Sequence, residues 1–173
     1  MKAVVCKQYG LPESLVIEER PSPQAGPGQV VISVKAANVS FPDTLVIQNK
    51  YQTKQELPFI PGSEVAGVVK VVGAGVEDWK PGDRVSAPAL NGGYAEEVVA
   101  DASRLLAVPD QMDFASAAVL GSAYGTSYYG LTEPGQLRAG ETLMVLGASG
   151  GVGLAAVEIG HALGVKVIAC GSS

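Results

Sequence analysis

Residues 143–153 read LMVLGASGGVG, and they are followed by LAAVEIGHALG at 154–164 and VKVIAC at 165–170. An apolar run, a glycine cluster, an amphipathic run and a second apolar run predict a strand, a turn, a helix and a strand. Such a turn at a helix N-terminus is suited to binding the pyrophosphate of a dinucleotide. Glycines permit a close approach at two places: Gly150 towards the phosphates and Gly153 between helix and strand.

Ala148 stands where the first glycine of G-x-G-x-x-G would stand, so the fingerprint is incomplete by one methyl group. The strand before the turn and the helix after it supply the context that the motif requires. A glycine-rich turn without a ligand is the alternative. We predict a cofactor-binding turn whose members are Ser149, Gly150, Gly151, Val152 and Gly153.

Composition excludes several other classes of protein. The 173 residues are 47% hydrophobic and 17% charged with a net charge of −5, and no basic cluster is present to neutralise the phosphates of a nucleic acid. Cys6 and Cys170 are too few and too far apart for a disulfide framework. The first residues, MKAVVCKQYG, have no apolar core long enough for a signal peptide, and no run approaches the length of a membrane span, so we expect neither. We therefore expect a cytoplasmic protein with no nucleic-acid partner and no membrane segment.

The chain before residue 110 is predicted to be rich in strands. Alternating or β-branched runs predict strands at 2–7, 15–19 and 29–37, a long one in 59–75 with a possible bulge at Gly67, and three more in 80–109. Pro42 and Asp43 predict the start of a short helix that ends near Tyr51. Residues 112–131 change period and predict one or two helices. The fold class is thus α/β with a β-rich part.

Several short motifs follow one another along the chain in an order that is typical of one family. They are KAVV, GPGQVVISVKAA, PGSEVAGVV, VGAGV, PGDRV, GGYAEE, AAVL and GASGGVG. In this order they resemble the medium-chain dehydrogenase/reductase superfamily, and within it the quinone oxidoreductase branch with its zeta-crystallin-like members. The resemblance implies a GroES-like catalytic domain at 1–122, followed at 123–173 by the first βαβ unit of a Rossmann domain, with substrate and nicotinamide meeting in the cleft between the domains.

The same resemblance implies a chain that stops halfway. A dinucleotide domain needs roughly two such βαβ halves, so about half of a complete enzyme would be absent, and we expect these 173 residues alone to be inactive. The full-length protein is expected to be a homodimer.

Zinc is not expected. The zinc-dependent members of the superfamily carry His where Ser63 stands, and Cys in place of Ser40 and Ser122; hydroxyl groups are poor substitutes for thiolate or imidazole. The lone His161 is expected to have a surface or packing role. Glu64 is expected to be a hydrogen-bonded structural carboxylate.

Without zinc, hydride delivery to a conjugated acceptor is the chemistry that the resemblance favours. Tyr51 resembles a cleft tyrosine of related enoyl reductases and is the candidate proton donor or oxygen-positioning group, although packing at a helix end explains it equally well. Ser40 lies where many quinone oxidoreductases carry Asn beside the nicotinamide, and Asp43 is expected to cap or orient the helix. Thr126 resembles a threonine at the nicotinamide end of the cofactor, with helix packing as the alternative.

The end of the second strand bears on the choice of cofactor. NAD-preferring domains place an acid about 20 residues beyond the glycine turn, whereas VKVIAC continues into Gly171, Ser172 and Ser173. Since a serine can donate to a 2′-phosphate, we predict NADPH, with Ser172 as a contact. The predicted function is reduction of a quinone or another α,β-unsaturated carbonyl. The alternatives are an enoyl-thioester reductase and a non-catalytic, crystallin-like nucleotide-binding protein.

Overall fold

The structure is a computed structural model that describes residues 1–89 and 91–172. The chain forms two compact units, Met1–Val119 and Leu120–Ser173, of which the last residue, Ser173, lies outside the described part. The predicted domain limits of 1–122 and 123–173 stay a prediction. Within the described residues, no helix is long and apolar enough to cross a membrane.

The first unit is built from antiparallel strands. A two-stranded sheet pairs β1 with β2, and a five-stranded sheet has the order β6-β3-β4-β5-β7. The strands are β1 (Lys2–Val5), β2 (Val16–Glu19), β3 (Gln29–Ala37), β4 (Glu64–Val72), β5 (Arg84–Pro88), β6 (Glu97–Asp101) and β7 (Leu106–Ala107). Two short helices accompany them, α1 (Phe41–Val46) and α2 (Phe114–Val119), with single 3-10 turns at Pro12–Ser14 and Ala102–Arg104. The predicted strands are all present, several of them shorter than expected.

Alternation of apolar residues explains the main core. Val30 and Ile32 on β3, Val65 and Val69 on β4, and Val85 on β5 are all buried in one cluster. Residues two apart point to the same face of a strand, although the buried run at the start of β4 is continuous rather than alternating. This side-chain layer holds the first unit together.

Gly67 is required by a close approach rather than by a bulge of its own strand. A methyl group built on Gly67 would lie 2.1 Å from the carbonyl oxygen of Ser33 on β3. The extra residue at this point is Lys35 on β3, since Val34 pairs with Gly67 and Ala36 with Ala66. The irregularity expected at Gly67 is therefore located on the neighbouring strand.

The first helix is shorter than predicted. It ends at Val46, and Asn49 takes a left-handed conformation with φ 55°. The Asn49 N–H donates to the Val46 carbonyl and the Lys50 N–H to the Leu45 carbonyl, the two hydrogen bonds of a Schellman motif. Asn is the residue most often found after Gly at the left-handed position that follows a helix. The sequence analysis had included Asn49 in the helix. Tyr51 consequently lies in the loop beyond the helix.

The second unit contains the predicted strand, helix and strand. A π-helical turn at Leu120–Gly125 runs into α3 (Thr126–Thr132), and β8 (Thr142–Leu146), α4 (Gly151–Ala162) and β9 (Lys166–Cys170) follow. Strands β8 and β9 are parallel, with Thr142 opposite Lys166. Gly160 lets α4 lie against these strands, because a methyl group there would be 2.9 Å from a Leu143 side-chain carbon. The βαβ unit that the sequence predicts is confirmed.

Candidate functional site

The glycine turn joins β8 to the N-terminus of α4. Gly147 adopts a positive φ of 72°, and Gly150 lies at the N-cap of α4 in an extended conformation. The first i to i−4 hydrogen bond of the helix runs from the Leu154 N–H to the Gly150 carbonyl at 2.8 Å. The N–H groups of the preceding three residues therefore lie at the helix N-terminus, where an anion is stabilised by donors and by the helix dipole.

The left-handed conformation at Gly147 explains the incomplete fingerprint. The residue of the turn that needs to be glycine for its backbone angle is Gly147, and its neighbour Ala148 donates its N–H to the Cys170 carbonyl at 2.9 Å. A methyl group at position 148 is compatible with that arrangement. The departure of this chain from G-x-G-x-x-G therefore leaves the turn intact.

Open space surrounds part of the glycine turn. A methyl group built on Gly151 would meet nothing within 4 Å, and one built on Gly150 would meet only the Gly147 carbonyl oxygen at 3.6 Å. Ser149, Gly150, Gly151 and Val152 are all exposed. At Gly153, by contrast, a methyl group would lie 2.2 Å from the Gly147 carbonyl oxygen, so helix and turn approach closely there. These residues form an open cradle lined by backbone N–H groups.

The end of β9 lies beside the same turn. A methyl group on Gly171 would be 3.8 Å from the Ser149 hydroxyl oxygen. Ser172 follows directly and is exposed. The structure therefore brings Ser172 to the edge of the sheet that carries the glycine turn, as expected for parallel strands on either side of a helix.

Thr126 is the exposed first residue of α3. Its neighbour Ser127 is buried and donates its hydroxyl proton to the Val152 carbonyl at 2.8 Å. Tyr124 in the π-helical turn donates its phenolic proton to Glu158 on α4, and this hydrogen bond raises the pKa of Tyr124. Sequence reasoning did not single out Ser127 or Tyr124, because the contacts join segments that are far apart in the chain.

In the first unit, Ser40 and Asp43 are bound to each other at the start of α1. The Asp43 carboxylate accepts the Ser40 N–H at 2.8 Å and the Ser40 hydroxyl proton at 2.6 Å. Asp43 is only 5% exposed. The expectation that Asp43 caps the helix is confirmed, and the Ser40 hydroxyl is held in a defined direction.

Tyr94 was missed by the sequence analysis although it lies in the GGYAEE motif. Its hydroxyl oxygen is buried, and no hydrogen bond of standard geometry joins it to any described residue. Burial, and after it the charge of the Asp43 carboxylate, raise the pKa of Tyr94, so the phenol keeps its proton. The Tyr94 ring also packs where a side chain on Gly62 would be, 2.5 Å from an added methyl group. Tyr94 thus belongs to the surroundings of Asp43.

The residues that occupy or adjoin the positions of zinc ligands in the zinc-dependent enzymes have other surroundings here. Glu64 is buried and accepts a hydrogen bond from the Asn38 side-chain amide at 3.1 Å, as expected for a structural carboxylate. Ser63 is half-buried and Ser122 is exposed, while His161 is exposed on α4. Within residues 1–89 and 91–172, no three His, Cys, Asp or Glu side chains form a group that could hold a metal ion. The absence of zinc from the working protein stays a prediction.

Tyr51 is half-buried in the loop that follows α1. Two contacts hold this loop: Tyr9 donates its phenolic proton to the Gln55 carbonyl, and the Lys54 ammonium group donates to the Asn49 carbonyl at 2.6 Å. Ser40 and Tyr51 belong to the first unit, and the glycine turn, Thr126 and Ser172 belong to the second. The structure therefore groups the predicted cofactor contacts of the second unit with one another.

Comparison with known proteins agrees with this architecture. A family model described as the alcohol dehydrogenase GroES-like domain matches residues 26–110. The quinone oxidoreductase of Homo sapiens is 39% identical over 170 residues, which is 97% of this chain and 52% of that protein. The Nematostella vectensis quinone oxidoreductase-like protein 2 homolog is 40% identical, over 96% of this chain and 46% of its own length.

Solved structures give the same result. The quinone oxidoreductase of Thermus thermophilus, whose structure was solved also as its complex with NADPH, superposes with a TM-score of 0.88 at 36% identity, over 100% of this chain and 54% of that one. This chain spans about half the length of the relatives it matches. The predicted α/β fold, a GroES-like domain followed by a first βαβ unit, is confirmed. The chain belongs to the medium-chain dehydrogenase/reductase superfamily, in its quinone oxidoreductase branch.

Proposed function

We propose that the protein is part of an NADPH-dependent reductase that transfers a hydride to a quinone or another α,β-unsaturated carbonyl compound without zinc. The open glycine turn, with three backbone N–H groups at the N-terminus of α4, is the observation that carries the proposal. Its support from outside is the relationship to proteins named quinone oxidoreductases, one of which is described in complex with NADPH.

The roles of the residues follow from their chemistry. When bound, NADPH supplies the hydride. Gly151, Val152 and Gly153 would hold its pyrophosphate through backbone N–H groups, with the Gly150 N–H already donated to the Gly147 carbonyl. Ser172 can donate a hydrogen bond to the 2′-phosphate without the repulsion of a carboxylate. Thr126 is proposed to contact the nicotinamide end.

In the first unit, Tyr51 is proposed to orient the acceptor oxygen or to donate a proton to it. Ser40 would offer its hydroxyl oxygen as an acceptor near the nicotinamide, because its proton is already donated to Asp43. A hydroxyl in that state is a poor replacement for the thiolate that zinc prefers, which supports a zinc-free reaction.

Oxidation of NADPH, followed at 340 nm, tests the proposal on the intact protein. We expect oxidation with 1,4-benzoquinone that is faster with NADPH than with NADH and slower with crotonyl thioester than with the quinone. Faster turnover of the thioester would identify an enoyl-thioester reductase instead. Binding of NADPH without turnover of any conjugated acceptor would leave only the non-catalytic function.

Tyr51→Phe tests the role given to the tyrosine. Loss of a general acid lowers kcat by about 100-fold, and this is expected with little change in the KM for NADPH. Tyr129→Phe is the control, since Tyr129 is 65% exposed on α3 and has no role in the proposal. Equal kcat values for the two variants would reduce Tyr51 to a packing residue. The cytoplasmic location and the homodimer remain predictions.

A further inference from the structure

In the described part of the chain, Ser127 and Tyr124 each join the segment around Thr126 to α4 by a side-chain hydrogen bond. Ser127 donates to the Val152 carbonyl at 2.8 Å, and Tyr124 donates to the Glu158 carboxylate. We call this pair of contacts the helix clamp. It reaches α4 at two points, six residues apart along that helix, and therefore restrains both the position and the rotation of α3 against it.

The local helix geometry directs both side chains to α4. Residues three apart lie on the same face of a helix, as Tyr124 and Ser127 do. The segment Leu120–Gly125 is a π-helical turn, and such turns are frequent at functional sites. Ser127 is 6% exposed, whereas the adjacent Thr126 is exposed. The buried hydroxyl thus anchors the backbone of a residue that faces solvent.

The Ser127–Val152 contact has residues of the proposed cofactor site on both of its sides. Val152, the acceptor for Ser127, is in the first turn of α4 and is one of the residues proposed to hold the pyrophosphate. Thr126, next to Ser127, is the residue proposed for the nicotinamide end. One dinucleotide contacts both only when the separation between them matches its length, and an error of about 1 Å in such positioning is costly.

We propose that Ser127 and Tyr124 are positioning residues, whose hydrogen bonds to Val152 and Glu158 set the separation between Thr126 and the glycine turn so that one NADPH molecule contacts both. This inference rests on the cofactor site proposed above. Neither residue touches the cofactor in this role.

Comparing the affinities of two ligands distinguishes loss of positioning by the helix clamp from a general destabilisation of the protein. NADPH reaches both Thr126 and the glycine turn, whereas 2′-phospho-ADP-ribose lacks the nicotinamide ring and reaches the glycine turn and Ser172 but not Thr126. Dissociation constants are measured by calorimetry on the intact protein. For Ser127→Ala and Tyr124→Phe we expect the dissociation constant of NADPH to rise about three- to tenfold. The dissociation constant of 2′-phospho-ADP-ribose should stay within about twofold, which is the size of change that an ordinary surface substitution causes.

Matched variants control for the loss of a hydroxyl group and for the charge of the acceptor. Thr132→Val also removes a hydroxyl of α3, but this hydroxyl donates to the Tyr128 carbonyl within the same helix, so both ligands should bind as they do to the parent protein. Glu158→Gln keeps an oxygen that accepts the Tyr124 proton and should bind NADPH normally. Glu158→Ala removes that acceptor and should resemble Tyr124→Phe.

Three results would overturn the clamp. Unchanged NADPH affinity in both Ser127→Ala and Tyr124→Phe would show that it does not position the site. Equal weakening of both ligands would show a general loosening of the turn. A parent protein that binds neither ligand would overturn the proposed function, and the clamp with it. If Ser127→Ala does not fold, Tyr124→Phe and Glu158→Ala still decide between these results.

Discussion

Gly153 and Gly151 differ in the space around them, and this difference predicts opposite changes in stability when each is replaced by alanine. Gly153→Ala places its methyl carbon 2.2 Å from the Gly147 carbonyl oxygen, whereas Gly151→Ala meets nothing within 4 Å. Forcing an atom into a packed position costs about 1–3 kcal/mol, and replacing an unstrained glycine by alanine stabilises by about 0.4–1 kcal/mol. The free energy of unfolding of the second unit, measured with urea, should therefore fall for Gly153→Ala and rise for Gly151→Ala.

Either substitution serves as the control for the other, because both add one methyl group to the same turn. Equal unfolding midpoints for Gly153→Ala and Gly151→Ala would mean that the turn relaxes freely, and the close approach of helix and turn would then not determine its shape.

Strands β4 and β6 are linked across β3 by an ion pair, and this contact makes the five-stranded sheet sensitive to acid. The Lys70 ammonium group lies 2.6 Å from a Glu97 carboxylate oxygen, and the Glu97 side chain is 15% exposed. The hydrogen bond from Lys70, acting against the effect of burial, holds the pKa of Glu97 below its usual range. In the unfolded chain the carboxyl group binds a proton more readily, so the stabilisation is present above pH 5 and is lost as the pH falls.

Glu97→Gln should flatten this dependence. Between about pH 5 and pH 3 the unfolding free energy of the parent protein should fall more steeply than that of the variant, by about 1 kcal/mol or less because Lys70 is half exposed. Lys70→Gln should have the same effect, since it removes the cause of the lowered pKa. Identical slopes in all three proteins would exclude a contribution from the pair. Other carboxylates with lowered pKa values will set the remaining slope: Glu18, Asp83, Asp101 and Asp113.

The two units differ in how much apolar surface they bury. In the described part of the second unit, the buried apolar side chains are Val145, Ala155 and Val165, whereas the first unit buries a continuous aliphatic core. Met144 and Leu146 on β8 are 59% and 77% exposed. An exposed face is unusual for a parallel sheet, which is normally covered on both sides. Regions with few buried apolar contacts open most readily.

Hydrogen exchange should therefore separate the units. For a chain of these 173 residues, we expect the amide hydrogens of β8 and β9 to exchange faster than those of β3 and β4 at neutral pH, since local opening exposes little additional apolar surface in the second unit. Mass spectrometry of peptides after exchange measures both in one experiment. Equal protection of the four strands would show that the chain unfolds as a single cooperative unit.

Local patterns were sufficient for most elements. The strand, glycine turn, helix and strand of residues 142–170 follow from apolar periodicity and from glycines, and both act over a few residues. Asp43 was likewise placed correctly, because a helix cap joins residues three apart. The predicted end of α1 was wrong because Asn49 can adopt either a helical or a left-handed conformation. Hydrogen bonds to the Val46 and Leu45 carbonyls select the left-handed one.

Contacts between distant segments were beyond the reach of any local pattern. Ser127 and Val152 are 25 residues apart, and a serine within a helical pattern gives no sign of its partner. The Tyr94 hydroxyl group, buried beside Asp43, and the close approach of Gly67 to Ser33 are of the same kind. Propensity and periodicity specify which elements form, because those energies are local; packing of the elements against one another specifies which side chains meet, and it depends on the whole chain.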